Sequence, residues 1–525
     1  MEGLGELVEM FKNCFPFSFL FFIPIFIIIS PVSPVNAAHE FAIYRMQQFD
    51  RYDMKVGSKM SLINMEARPL DAKMVTRRCI IARLKEVTGA RYQDLVDQKA
   101  GGLIHLQLVE QELLGTEDSS VPVYFAWETP EILNIYQSVI AGSGDDAATA
   151  VEALFSSASA NGFQMVQSGV AGKALTDFQI SNIQGHLSGY GIEEQLPTIA
   201  IVTHYDAFGI APSLSTGADS NGSGVIAILE LARLFSKLYT NSRTHAKFNL
   251  VFLLSGAGKF NYLGSKKWIE DSLDNIESTL LSDIAYVLCL DSIGRDNMLH
   301  LHVSKPPKED SSAYEFLQHL EKVIQTFYPD VGFKMVHKKI NLADEILAWE
   351  HERYSMKRLP AFTLSHLDSH KALDRSTILD TRSRVDETVL VRNIRIVAET
   401  LARHDVQGEL VSAWLDHLTS TPRAAQLLPR DASLLTTLEE TMARYLKDVK
   451  RSTVKTDKRD PEFLFYDGAE YKMNAFNVKP AVFDLFLAVA IGGYLTAIYF
   501  LVQNFHVLLA LFIKITRPVK ATKVN

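Results

Sequence analysis

Three short stretches of the chain carry residue types suited to holding a metal ion. His204-Tyr205-Asp206 closes the apolar run 196–204, Asp219 stands fifteen residues after His204 inside GADSNGSG, and Asp291 closes the apolar run 285–291. An imidazole with a carboxylate two residues on, to fix its tautomer, is one way of presenting a metal ligand. His204, Asp219 and Asp291 on adjacent loops would offer three donors to one ion. Each also has a plainer reading, since a carboxylate after a strand commonly caps a helix and His-x-Asp recurs by chance. Two further histidine pairs, His366/His370 in SHLDSHK and His300/His302 in LHLHV, stand near the same runs. The i, i+2 pair would project to one face of a strand, where surface imidazoles are commoner than ligands.

The elements that must position these residues alternate in type. Runs 196–204, 248–255, 285–291, 299–303 and 360–365 are short and almost continuously apolar, as in strands covered by helices on both faces. Residues 223–239 place Val225, Leu229, Ala232 and Leu238 on one helical stripe, with Gly222 and Gly224 at its start. The pattern is α/β, and in such sheets chemistry gathers at the carboxyl ends of the strands. Residues 39–150 read as a separate β-rich accessory region and 142–150 (GSGDDAATA) as a linker. The stretch 406–480 is helical in pattern and contains a basic run, 447–459, that reads as a connector or solvated face.

Composition narrows the function classes. At 525 residues, with about 150 per domain, several units are expected. A net charge of −8 argues against nucleic acid as the main partner. With 47% hydrophobic and 22% charged residues the chain is no disordered polymer. Three cysteines make no disulfide framework; Cys79 and Cys289 lie in apolar runs and read as buried thiols.

The two ends are the most apolar parts. Residues 15–29 are apolar except Ser18, two prolines interrupt them, and Val35-Asn36-Ala37-Ala38 follows. This reads as a secretory signal over 1–38, although Glu2, Glu6 and Glu9 outnumber Lys12 ahead of it, and a retained anchor is the alternative. Near the other end 485–502 carries no charge, enough for about 27 Å of helix at 1.5 Å per residue. A membrane span over 481–502 with an apolar extension to 513 is expected. Lys514, Arg517, Lys520 and Lys523 put the tail, 514–525, in the cytosol and the bulk of the chain on the other side. Ala488, Gly492 and Gly493 form a small-residue strip that would let another helix approach. Asn221-Gly222-Ser223 is the one N-glycosylation sequon of the sequence.

Taken in order, HYDAFG, GADSNGSGV, FLLSGAGKFNYLGSKKW, LCLD and STILDTRSRVDE resemble the motif series of the zinc aminopeptidase family, which includes nicastrin and the transferrin receptor. The likeness covers about 160–405, within an aminopeptidase-like region taken as 151–405, and the accessory region resembles a protease-associated domain. The resemblance implies a mixed sheet with helices on both faces and, in active members, two zinc ions sharing a bridging aspartate. On that pattern His204 and Asp291 fall on ligands of the first ion, Asp219 on the bridging carboxylate and Asp206 on the acid that orients the histidine. The family's Glu-Glu pair falls on Gly258 and Lys259, and its final histidine on Ser376. The resemblance therefore implies no catalytic residue, no bound metal and no cofactor, since losing a general base alone costs about 10²–10⁴ in rate. Lys259 would then stand in for the metal by pairing with Asp219 and Asp291.

For the membrane-anchored, nicastrin-like branch the resemblance further implies a non-catalytic, single-span scaffold of the endoplasmic reticulum with most of the chain lumenal. Its partners would be the Nodal modulator protein and a small polytopic membrane protein in the BOS complex. That complex belongs to the multi-pass translocon, where the ribosome-bound Sec61 channel inserts multi-spanning proteins. Two other readings stay open: a one-zinc, membrane-anchored hydrolase using His204, Asp219 and Asp291, and a lumenal peptide or sugar receptor without chemistry.

Overall fold

The computed structural model of the chain describes residues 39–507 and 510, apart from 53, 60, 73–74, 84–85, 107–120, 142–161, 193–194, 242, 275–282, 345, 402–407, 456–460 and 479–480. The signal expected over 1–38, the linker read at 142–150 and the basic tail 514–525 lie outside the described residues.

Four of the apolar runs form the parallel centre of an eight-stranded sheet, in the spatial order Ala361–Ser365, Ile284–Leu290, Thr198–His204, Asn249–Ser255. Every residue of Thr198–His204 and of Asn249–Ser255 is buried, which is what a strand covered on both faces requires. Met298–Val303 joins antiparallel on one side, with Gly332–His337 parallel beyond it. Gln179–Leu187 and then Lys447–Lys455 join antiparallel on the other. Gly222–Thr240 lies within the main core beside Ser312–Phe327, Glu387–Leu401, Gly408–Thr419 and Ser433–Tyr445. Leu263–Asp274 and His351–Met356 bring Trp268, Ile269 and Tyr354 to the opposite face. Fully buried side chains such as Phe235 and Leu231 contribute about 1.5–3 kcal/mol each. The sheet is therefore mixed, with helices on both faces, as expected. Because the four central strands run the same way, the residues that follow His204, Ser255, Leu290 and Ser365 emerge along one edge.

The accessory region is larger than its sequence span. A closed seven-stranded barrel runs in the order His39–Arg45, Glu470–Val478, Gly162–Ser168, Asn64–Pro69, Cys79–Arg83, Gly102–Leu106, Val123–Phe125. Glu470–Val478 was expected in a helical segment and Gly162–Ser168 in the aminopeptidase-like region; the structure corrects both. His39 pairs with Ala475 and Met473 with Gln167, so the barrel closes only with strands distant in sequence, whose partners periodicity does not encode. The basic run is a solvated face but not a mere connector: Lys447–Lys455 is an edge strand of the large sheet, its residues paired from Lys455 opposite Gln179 to Lys447 opposite His186, with Lys447 and Lys450 exposed. A third, four-stranded sheet joins Met54–Gly57, Gln48–Arg51, Phe463–Tyr466 and Ala174–Leu175. Its Phe49 and Phe463 pack on Phe260 from the large sheet's edge, with ring centroids 5.4 Å apart in each case.

Cys79 and Cys289 are free, buried thiols, and burial pushes Cys79 up to about 12. The last described element, Ala481–Gln503, is a helix of 23 residues. The side chains of 481–484 and 486 are not described, and among the described residues no helix is long and apolar enough to cross a membrane. Leu485, Val489 and Tyr494 are exposed along it, and nothing approaches within 4 Å of where Gly492 or Gly493 would carry a Cβ.

Candidate functional site

The carboxyl edge gathers the expected residues and gives most of them different partners. His204, the last residue of its strand, is fully buried, and its Nδ1 lies 3.4 Å from Oε2 of Glu350. The acid that orients it is Glu350, not Asp206. Asp206 accepts instead from the backbone N–H groups of Gly258 at 2.7 Å and Lys259 at 3.1 Å. It thus ties down the loop after Asn249–Ser255. That loop passes so close to the imidazole that a Cβ on Gly258 would sit 2.2 Å from His204 Cβ and Cγ. Glycine is required there by contact with a side chain, and a glutamate has no room.

Asp291 is held by Arg375, whose Nη2 donates to Oδ2 at 2.6 Å, and its Oδ1 accepts from Ser292 Oγ at 2.8 Å. Burial alone would raise the Asp291 carboxyl, but the Arg375 guanidinium, followed by Lys259 and His204, holds it well below the usual carboxylate range. The guanidinium is fixed from several sides. It donates to Ala348 O at 3.0 Å and Tyr262 Oη at 2.7 Å, and its Cζ lies 4.3 Å above the Trp349 ring, a favourable cation–π position.

Asp219 has a second cationic set. Its Oδ2 lies 2.7 Å from His366 Nε2 and 3.8 Å from Arg295 Nε, and its Oδ1 accepts from Gly294 N at 2.7 Å. Burial works against ionisation of this carboxyl, yet the His366 hydrogen bond and charge bring it below its ordinary value and His366 above its own. Asp380, absent from the sequence-based set, accepts from the Asp219 and Ser220 backbone N–H groups and from Arg295 Nη2 at 2.9 Å. Burial, then the Asp219 charge, raises it.

Lys259 does not form the expected pairs. Its Nζ donates to Ser220 Oγ at 2.6 Å and Arg375 O at 3.1 Å, and burial lowers its ammonium to about 8 against the pull of Asp291. Ser376 lines the cleft beside it. The cation that stands against Asp291 is thus Arg375, the residue immediately before the aligned position. Its signal was there in ALDRST, an arginine next to a missing ligand, but an arginine after a loop has too many other uses to be singled out.

Of the remaining candidate histidines, His370 lines the same cleft, where burial lowers it to about 4, and the other three are structural. His300 and His302 are buried, not on a surface strand; they hydrogen-bond His366 O at 3.0 Å and Leu367 O at 2.8 Å. Burial lowers His302 to about 4, so it is neutral at pH 7. His366 follows a strand as expected, but serves Asp219.

The sequon is corrected too. Asn221 is 0% exposed; its Nδ2 donates to Leu290 O at 2.8 Å and its Oδ1 accepts from Ser292 N at 3.1 Å, while it makes no side-chain helix cap. The folded chain has no space for a glycan on that nitrogen. N-glycosidase treatment of the purified protein is expected to leave its mass unchanged at Asn221; a shift traced to this residue would contradict the packing.

The zinc pair implied by the family pattern does not fit these residues. Both carboxylates that would bind it already neutralise buried cations, and a dication between them would face Arg375, Arg295 and Lys259. Above this edge lies a cleft of about 960 Å³, lined in part by Lys259, Arg375, Phe260, Arg51, Met54, Lys55 and Val56.

Comparison with known proteins follows from the same fold. The profile of Peptidase family M28 matches residues 182–400. The mouse (Mus musculus) protein "BOS complex subunit NCLN" is 49% identical, over 97% of this chain and 97% of its own. "Nicalin" of Caenorhabditis elegans is 29% identical, over 89% of this chain and 90% of its own. Among solved structures the γ-secretase component nicastrin is similar at a TM-score of 0.61 and 11% identity, over 85% of this chain and 100% of that one. At that identity the likeness speaks for the fold.

Proposed function

The chain belongs to the family of the BOS complex subunits NCLN and nicalin, and from that membership we propose that it is a non-catalytic, membrane-anchored scaffold subunit of a multi-protein complex. One observation carries the non-catalytic part: Arg375 donates to Asp291 at 2.6 Å where an active relative would need that carboxylate for a metal. The position of the general base is Gly258, pressed against His204, and Lys259 and Ser376 stand at the second ion's ligand positions. Ion pairing in the crevice makes it a rigid structural edge.

The helix Ala481–Gln503 is the anchor in this reading. Counting also 481–484 and 486, whose side chains are not described, its 23 residues would measure about 34 Å at 1.5 Å per residue, enough for a hydrocarbon core of about 30 Å. Exposed apolar side chains along it favour lipid or another helix as its surroundings, and Ala488, Gly492 and Gly493 would let a neighbouring helix come close. With the basic tail in the cytosol, the sheet and barrel would lie in the lumen of the endoplasmic reticulum. The partners proposed are the Nodal modulator protein and a small polytopic membrane protein, acting beside the Sec61 channel and the ribosome in the multi-pass translocon.

The test is co-purification of the full chain in mild detergent with mass spectrometry, beside a chain whose 481–503 segment is replaced by an unrelated apolar span. The native chain should recover a fixed set of lumenal and polytopic partners, and the replaced span should lose the polytopic one. The same native preparation, supplied with zinc, should release nothing from aminoacyl reporters. Zinc-dependent turnover that Asp219→Ala abolishes would favour the one-zinc hydrolase instead.

A further inference from the structure

Apart from Arg375, which serves the fold's own ion pair, the cleft at the carboxyl edge has an unusual lining. Among its described lining residues Arg51, Lys55, Lys259, Lys371 and Arg375 are cationic and only Asp344 is acidic. Arg375 is committed to Asp291 and Arg51 has interactions of its own, but the three lysines meet a single acid in the lining. Lys259 uses two of its ammonium's three N–H groups within the protein, so one donor remains for a ligand. One wall is aromatic, built from Phe49, Phe208, Phe260 and Phe463 in mutual edge contacts.

The rim adds apolar surface: Met54 and Ile346, which line the cleft, are 44% and 46% exposed. Large apolar side chains standing in water around one concavity mark an interaction surface more than scattered ones do. At about 960 Å³ the space reaches the upper end of ligand pockets, about 300–1,000 Å³. A sugar would want mostly neutral polar groups; the lining offers Ser376, the His370 imidazole and a tyrosine hydroxyl already bonded to Arg375, set against three lysines.

We propose that this cleft docks an extended acidic segment of a partner protein, with carboxylates on Lys259, Lys55 and Lys371 and apolar side chains against the exposed Met54 and Ile346. The charge of the lining selects the acidic segment and the rim supplies the apolar contact; the bound segment leaves unchanged, because no group at this edge activates water. The inference rests on the non-catalytic reading above. It gives the scaffold a defined recognition pocket that an active relative could not offer, since Lys259 stands at the place of a metal ligand.

The full chain in detergent micelles is titrated into a short fluorescent peptide with blocked ends, alternating glutamate with leucine or phenylalanine. A second peptide carries lysine at every glutamate. Anisotropy should show saturable binding of the acidic peptide, weakening with salt, and none of the basic one. Lys259→Met should weaken binding about tenfold, and the exposed pair Lys55→Glu with Lys371→Glu, which leaves the buried network alone, at least as much. Equal binding of both peptides, binding matched by empty micelles, or indifference to the Lys55/Lys371 reversal would overturn the proposal. Mass spectrometry of the recovered peptide separates the two readings: an intact but unbound peptide sinks the docking site alone, whereas a cleaved one sinks the non-catalytic premise.

Discussion

Arg375→Met should cost the fold about 3–5 kcal/mol, the range for removing one partner of a buried ion pair. The side chain is nearly isosteric along its stem, so little of the loss comes from volume. What remains is the Asp291 carboxylate, 1% exposed and deprived of its one bidentate-capable partner. The sign with pH follows from Asp291. In the native chain its carboxyl is held below the unfolded value of 3.8, so its stabilisation is complete above about pH 4 and disappears as pH falls through the folded value. In Arg375→Met burial dominates and the folded carboxyl rises instead. The variant is then most stable, relative to the native chain, in acid and loses ground as pH rises. Thermal melts of the two proteins across pH 4 to 8, values chosen from the ordinary carboxylate range of about 4, check both parts. Adding Asp291→Asn to the variant should recover much of the loss, because the orphaned charge is gone. A variant within about 1 kcal/mol of native at neutral pH would mean that the pair is no more than a surface-type bridge.

Gly258→Glu is the substitution that would rebuild the family's general base, and it is expected to damage the protein instead of activating it. Its Cβ alone would overlap the imidazole of His204 at 2.2 Å, and neither party can give way. His204 ends a fully buried strand, and the glycine's backbone N–H is held by Asp206 at 2.7 Å. Overpacking of this kind costs about 1–3 kcal/mol and sometimes more. Gly258→Ala, carrying the same Cβ without the carboxylate, should show most of the effect in a denaturant melt. Zinc-dependent release of aminoacyl reporters by a folded Gly258→Glu chain would show that the loop can retreat and that the edge is closer to an active one than its packing implies.

Both predictions depend on contacts that no spacing in the sequence announces. The apolar runs ending at His204, Ser255 and Asp291 were legible because a parallel strand buried on both faces must be apolar throughout, and chain order then placed their ends together. His204 and Asp291 come to one edge for that reason. Asp219 sits on the loop before Gly222–Thr240 with partners of its own, and among the described residues no three such side chains form a group that could hold a metal. Arg375, Asp380, Glu350 and His366 were not legible as partners, because each belongs to a loop or turn whose side-chain direction depends on packing. Lys259 was read as the counter-charge, and the structure moves that role one loop away. The barrel was half legible: its first strands follow one another in sequence, whereas Glu470–Val478 joins across more than four hundred residues, and nothing local to either strand names the other.

By itself the sequence determined the α/β class and the absence of a carboxylate at Gly258, since these follow from residue type and local pattern. Only the tertiary structure decided that Asp291 and Asp219 are neutralised by arginine and histidine, that Asn221 is buried, and that the lysine faces an open cleft. Electrostatic partners and burial are properties of three-dimensional neighbours, and side chains far apart along a chain become neighbours only when it packs.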